Sequence, residues 1–159
     1  MWSAFDANST WIPLNSTSLR EENITKDIFE VPFTVLSTAY TKDRNATFMG
    51  LNSKNQNTSE KYYYVMYFLE LENLEANQTR EFNIYLNDLL WYGPLNPKNL
   101  VYPTFFSTSY SQPDSDGNIQ IWFNNTENST LPPLINAFEV YFFKDGSGQE
   151  TFQTDGKYF

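Results

Sequence analysis

Residues 80–86, Arg-Glu-Phe-Asn-Ile-Tyr-Leu, set Phe82, Ile84 and Leu86 at every second position with Asn83 and Tyr85 between them. Side chains along a strand alternate between two faces, so this spacing describes a strand with one buried face and one open face; a helix would scatter the three apolar residues. Just upstream, residues 62–71 are a run of aromatic, β-branched and long apolar side chains, the composition that suits a pleated surface. Residues 61–94 thus read as one long double strand. Its arms are 62–71 and 80–86, and it returns through Leu89, Leu90, Trp91 and Tyr92 after Asn87-Asp88, two residues that tolerate positive φ. The turn holds two or three residues, and the difference exchanges Trp91 and Tyr92 between core and surface.

The rest of the chain supplies strands to pair with this one. Residues 1–30 are polar, with Trp2, Phe5, Trp11 and Ile12 as isolated anchors, and read as an edge segment with short strands. Residues 33–41 read as a strand, 41–60 as a loop of Asn, Lys, Ser and Thr, and 94–99 as a turn. Residues 100–110 carry Val101, Tyr102, Phe105 and Phe106 into a further strand. Turn chemistry at 112–118 leads to a strand at 119–123; Pro132-Pro133 precedes 134–143, where Phe138, Val140 and Phe142 share a face and close the core before Asp145-Gly146-Ser147-Gly148. Seven or eight strands with no convincing amphipathic helix, no internal repeat and no domain boundary make residues 1–159 a single all-β domain, an antiparallel β-sandwich. In the 62–71 strand, Tyr62, Tyr64, Met66 and Phe68 share one face, and Tyr63, Val65, Tyr67, Leu69 and Leu71 the other. A strand over open water has one polar face. Both faces here need cover, from a loop or chain end of the same molecule, or from a docking partner or a stacked sugar.

Composition excludes several functions. A net charge of −9 repels phosphate backbones and anionic lipid, so nucleic acid and membrane surfaces are poor partners, whereas neutral glycans and basic peptides remain open. With no Cys and no His, the usual nucleophile systems lack a base or a nucleophile, and zinc loses its favoured ligands. No stretch is long enough to span a membrane as a helix.

Eight Asn-X-Ser/Thr sequons begin at Asn8, Asn15, Asn23, Asn45, Asn57, Asn77, Asn124 and Asn128, in segments that read as loops or strand edges. The chain's 18 Asn and 28 Ser plus Thr would give about three by chance, so the excess points to a secreted, glycosylated surface. The N-terminus has neither the basic nor the apolar region of a signal peptide, so the sequence reads as a piece of a longer extracellular protein.

Candidate chemistry is sparse. Glu70 and Glu72 share a strand face at roughly 6.5–7 Å, the low end of the inverting-glycosidase spacing. A working site needs carboxylates aimed across a cleft from different elements, so no catalytic residue is assigned and an enzyme is not expected. Asp114-Ser-Asp116-Gly-Asn118 begins like a calcium loop but has Ile119 where that loop needs Gly and Asn125 where it needs Glu, so it reads as a turn, and no metal or cofactor is expected. The candidates for stacking a ligand are Trp91, Tyr92, Tyr102 and Tyr110.

Residues 80–87 followed by Leu90-Trp-Tyr-Gly-Pro94, and Asn128-Ser-Thr-Leu-Pro-Pro-Leu-Ile-Asn-Ala137 running into Glu139-Val-Tyr141, resemble the malectin-like extracellular domain of plant leucine-rich-repeat receptor-like kinases. Trp2, Trp11, Pro32-x-x-Val-Leu36 and residues 149–154 fit the same pattern, which leaves off at 156–159. That resemblance implies a jelly-roll-like carbohydrate-binding sandwich, here the C-terminal lobe of a tandem pair, whose partner would be the first malectin lobe. It implies a non-catalytic recognition module on the cell-surface side of the plasma membrane that senses cell-wall glycans or secreted peptides. The alternative is a structural spacer with no ligand of its own. It carries no ligand-contacting residue across.

Overall fold

The computed structural model describes residues 10–16, 19–24, 31–54, 58–99 and 104–143. Nine strands run through them: β1 (Ile12–Asn15), β2 (Thr38–Thr41), β3 (Phe48–Lys54), β4 (Lys61–Tyr67), β5 (Phe82–Leu86), β6 (Leu89–Leu95), β7 (Thr104–Phe106), β8 (Asn118–Asn125) and β9 (Ala137–Phe143). They form a four-stranded sheet in the order β3-β8-β5-β6, a three-stranded sheet in the order β7-β4-β9, and a β1-β2 pair, with all pairings antiparallel. The architecture is the expected antiparallel β-sandwich.

The alternation of β5 holds: Phe82 and Ile84 have no exposed surface and Leu86 is buried, while Asn83 and Tyr85 are half-exposed. Across the sandwich β4 sends down Tyr62, Tyr64 and Met66, followed by Phe68. Phe68 sits at the centre, its ring edge-on to Phe82, Phe105 and Phe123 with centroids 5.6, 5.7 and 5.8 Å away. Edge-to-face pairs in this range stabilise beyond the area they bury.

Residues 62–71 and 80–86 are not arms of one hairpin. β4 and β5 belong to different sheets, and residues 68–81 carry the chain from one to the other. The true hairpin is β5–β6. Its turn has two residues, with Leu86 opposite Leu89 and positive φ at Asn87 (45°) and Asp88 (64°), which matches the right-handed twist of the strands. A register shift beyond Tyr85 leaves Trp91 as the extra residue of a bulge, so Trp91 packs on the core while Tyr92 still faces Ile84. The choice between them disappears.

Two further readings change. Residues 33–41 are a helical turn, α1 (Phe33–Leu36), followed by β2; Pro32 enters in extended geometry, and the Ser37 N–H closes the turn on the Phe33 carbonyl. Residues 41–60 contain β3, paired residue for residue with β8, with Met49 fully buried. The doubly apolar β4 is closed by the chain itself: Leu19, Ile24, Val31 and Leu36 pack on Val65, Tyr67 and Leu69. Asn136, within the motif that carries the resemblance, locks this cover, accepting from Leu69 N–H and donating to the Leu36 and Thr38 carbonyls. The apolar excess expected on that strand is therefore spent internally. It lies instead at the end of β9, where Val140, Tyr141, Phe142 and Phe143 are 43–56% exposed, so residues 134–143 close the core only over their first half.

Candidate functional site

The outer face of the four-stranded sheet follows from the same pleat that buries Phe82 and Phe123. On β8, Ile121 and Phe123 point inward, so Trp122 and Asn124 point outward. Register sets Gly50 and Tyr85 on either side of Trp122, and Phe48 and Asn83 on either side of Asn124. Gly50 is required here. A Cβ built on it would stand 2.0 Å from Trp122 Cε3, so only glycine lets the indole lie against the neighbouring strand. The indole N–H donates to Gln120 Oε1, two residues back on the same strand, at 3.1 Å. Phe48 is half-exposed, its centroid 6.1 Å from the indole, and the Lys42 ammonium covers one of its faces at 4.7 Å. An open groove of about 620 Å³ runs over these rings, lined by Thr47, Phe48, Tyr85, Asp88, Trp122 and Asn124. An immobilised indole flanked by amides and hydroxyls is the combination that stacks on the apolar face of a sugar while hydrogen-bonding its rim.

The stacking candidates from the sequence do not gather. Trp91 is half-buried against the core. Tyr92 meets Phe105 with centroids 4.2 Å apart, bridging the two sheet edges. Tyr110 is exposed beside the start of β4 with the Lys61 ammonium 4.4 Å over its ring, and Tyr102 lies outside the described residues. Among the sequons, Asn15, Asn45, Asn77 and Asn128 are exposed, Asn23 lies in the short 3-10 turn Glu21–Asn23, and Asn8 and Asn57 lie outside the described residues. Asn124 departs from the expected loop position. It is exposed, but on a strand flanked by neighbours on both sides.

Glu70 and Glu72 are engaged as a structural joint. Arg80, wholly buried, donates through Nε to Glu70 Oε2 at 2.8 Å and through Nη2 to Glu72 Oε2 at 2.5 Å. Its Nη1 reaches Thr41 Oγ1 and the Pro132 carbonyl, and Arg44 binds the other oxygen of Glu72 at 2.6 Å. The cluster ties the crossover, the end of β2 and the Pro132-Pro133 segment together, and it occupies the pair of carboxylates that a glycosidase reading would need free. The 114–118 segment is a turn: Asp114 Oδ1 accepts from the Asp116 and Asn118 N–H groups and both its oxygens from the Asn118 amide. The Asn118 N–H, and then its side chain, hold the Asp114 carboxyl below its usual range. Among the described residues no group of three or more acidic residues could hold a metal ion, and no helix is long and apolar enough to cross a membrane.

Fold and groove together define an antiparallel, jelly-roll-like β-sandwich with an aromatic face on one sheet. The chain belongs to the malectin-like domain family, whose model matches residues 1–143. A probable leucine-rich-repeat receptor-like serine/threonine-protein kinase of Arabidopsis thaliana is 38% identical over 148 residues, which is 91% of this chain and 16% of that protein. A second such Arabidopsis kinase is 34% identical over 154 residues, 97% of this chain and 17% of that protein. The chain thus spans about a sixth of the length of these relatives. Among solved structures, a chain in the crystal structure of the plant peptide RALF23 in complex with FER and LLG2 superposes with a TM-score of 0.67 at 16% identity, covering 85% of this chain and 40% of that one. The ANXUR1 extracellular domain of Arabidopsis thaliana gives 0.65 at 14% identity, covering 86% and 39%. At these identities the likeness is one of fold.

Proposed function

We propose that this chain is a non-catalytic recognition module on the extracellular side of a receptor-like kinase, and that it binds a neutral glycan across Trp122. The observation that carries the reading is the outer groove. An indole held against Gly50 and left half-open in a groove gives the apolar face of a sugar ring a flat partner. The family supports the receptor setting, and the excess of sequons supports the extracellular one. The longer relatives and the exposed end of β9 support a first malectin lobe as neighbour, since interfaces between domains of one chain bury roughly 600–1,500 Å².

A basic peptide is the second reading. The net charge of −9 favours it, and a fold neighbour was crystallised in a complex with the peptide RALF23. A titration of unglycosylated chain with neutral cell-wall oligosaccharides and with basic peptides decides between them. Saturable glycan binding that is lost in Trp122→Ala supports the proposal. Binding of peptide alone moves the function to the charged surface, and no saturable signal from either makes the chain a spacer.

A further inference from the structure

We infer that the sugar lying on Trp122 in the secreted protein is the chain's own N-glycan, attached at Asn124. The inference rests on the extracellular reading above, because only a chain that passes through the secretory pathway is glycosylated there. The exposed sequon asparagines Asn45, Asn77 and Asn128 sit outside the strands, and Asn15 ends β1 in the two-stranded pair. Asn124 differs. It lies on β8 between β3 and β5, so a glycan on its amide must leave over the sheet, and the space it enters is the groove that Asn124 itself helps to line. Trp122 is two residues back on the same face, roughly 6.5–7 Å along the strand, within the span of the first sugars of the glycan. Phe48 stands directly opposite Asn124, half-exposed.

The local chemistry suits an attached sugar. Trp122 cannot sink into the sheet because Gly50 already gives it the closest approach the backbone permits. The apolar C–H face of a pyranose has a flat partner there, and the Thr47 and Asp88 groups at the groove rim can meet its hydroxyls. The sequon's Thr126 hydroxyl donates to Glu81 Oε1 in the folded chain, so modification of the asparagine has to precede that contact. Stacking an attached sugar carries little of the association cost that a free oligosaccharide bears, so the glycan outcompetes a free ligand for the same ring. The occupancy of one sequon therefore sets whether the groove is open: an unmodified Asn124 leaves Trp122 available, and a glycosylated one caps it.

The test uses the whole chain, secreted behind an added signal sequence and trimmed by endoglycosidase to a single GlcNAc at each site. Peptide mapping is expected to find Asn124 occupied, and NMR to find the protons of its GlcNAc shifted upfield by the indole ring current. Asn124→Gln is expected to lower the Tm of the secreted chain by about 2–4 °C and to leave the unglycosylated chain unchanged. In a Trp122→Ala background the difference should vanish; if that variant does not fold, the ring-current shift in the unaltered chain decides alone. An unoccupied Asn124, or an occupied one with ordinary glycan shifts and no Tm difference, overturns the inference. None of these readouts requires an added ligand. A chain that shows them but binds no free glycan keeps this inference and loses the recognition reading.

Discussion

Trp122 and Phe123 are neighbours on β8 and end in opposite surroundings. Phe123 has no exposed surface and meets Phe68 and Phe82 edge-on, whereas Trp122 is half-open above Gly50. The same contrast runs across the sheet, with Met49, Phe82 and Ile84 fully buried inside and Phe48 and Tyr85 outside. Residue type does not separate the two sets, since both are aromatic and apolar. The pleat does. What the contrast teaches is that an aromatic-rich sequence can fill a core and furnish a second surface with alternate residues of the same strands, and that only register tells which is which.

The comparison breaks most visibly at the core. Phe82→Ala is expected to cost about 3–5 kcal/mol in urea unfolding, because its ring meets two others in a space that cannot collapse. Glu70→Ala should cost about 1–3 kcal/mol by leaving the buried Arg80 Nε without its acceptor while Glu72 still balances the charge, and a loss below about 0.5 kcal/mol would show that water reaches the joint. Tyr64 sharpens the comparison through pH. Burial, and then the neighbouring Tyr62, push its hydroxyl from 10.0 up to about 12. Between those values the unfolded chain gives up the proton and the native chain keeps it, so stability that is full below pH 10 falls as pH rises towards 12. Tyr64→Phe should lose less stability across that interval than the parent; parallel pH profiles for the two would contradict an inward-facing Tyr64. The smallest effect belongs to the outer face, where Phe48→Ala is expected to change stability by no more than about 0.5 kcal/mol in unglycosylated chain. If it matched Phe82→Ala, the outer face would be part of the core.

Much of the inner face was legible in the sequence. The alternation of Phe82, Ile84 and Leu86 reported a strand with its buried side, and residues 119–123 read as a strand, because period two is a local property. Pairing is not local, and that is where the reading failed. Two apolar runs joined by a polar stretch look alike whether they pair or cross between sheets, so residues 62–71 and 80–86 were expected to form one hairpin. β3 was hidden because its inward Met49 and Leu51 are few and lie among sequons, lysine and glycine. Phe33-Thr-Val-Leu36 has strand composition and forms a helical turn because tertiary cover of β4 overrides propensity. With β3 unread, Gly50 could not be set beneath Trp122, and the groove was invisible. An outward Trp in an otherwise well-phased strand was the available signal.

Strand order also governs how the chain assembles. β3 pairs with β8, and β4 with β7 and β9, so apart from the β1-β2 pair the strands before residue 68 have no sheet partner until residues 104–143 exist. The β5–β6 hairpin has the shortest connection between paired strands among the described residues, and it is the natural nucleus on which β8 and then β3 can add. Folding dominated by such distant pairings runs in milliseconds to seconds rather than microseconds. In a chain secreted as proposed above, Asn15, Asn45 and Asn77 would meet the glycosylation machinery before β8 exists. Asn124 would meet it on the strand that completes the four-stranded sheet, so the proposed modification there would compete with the pairing of β8 to β3.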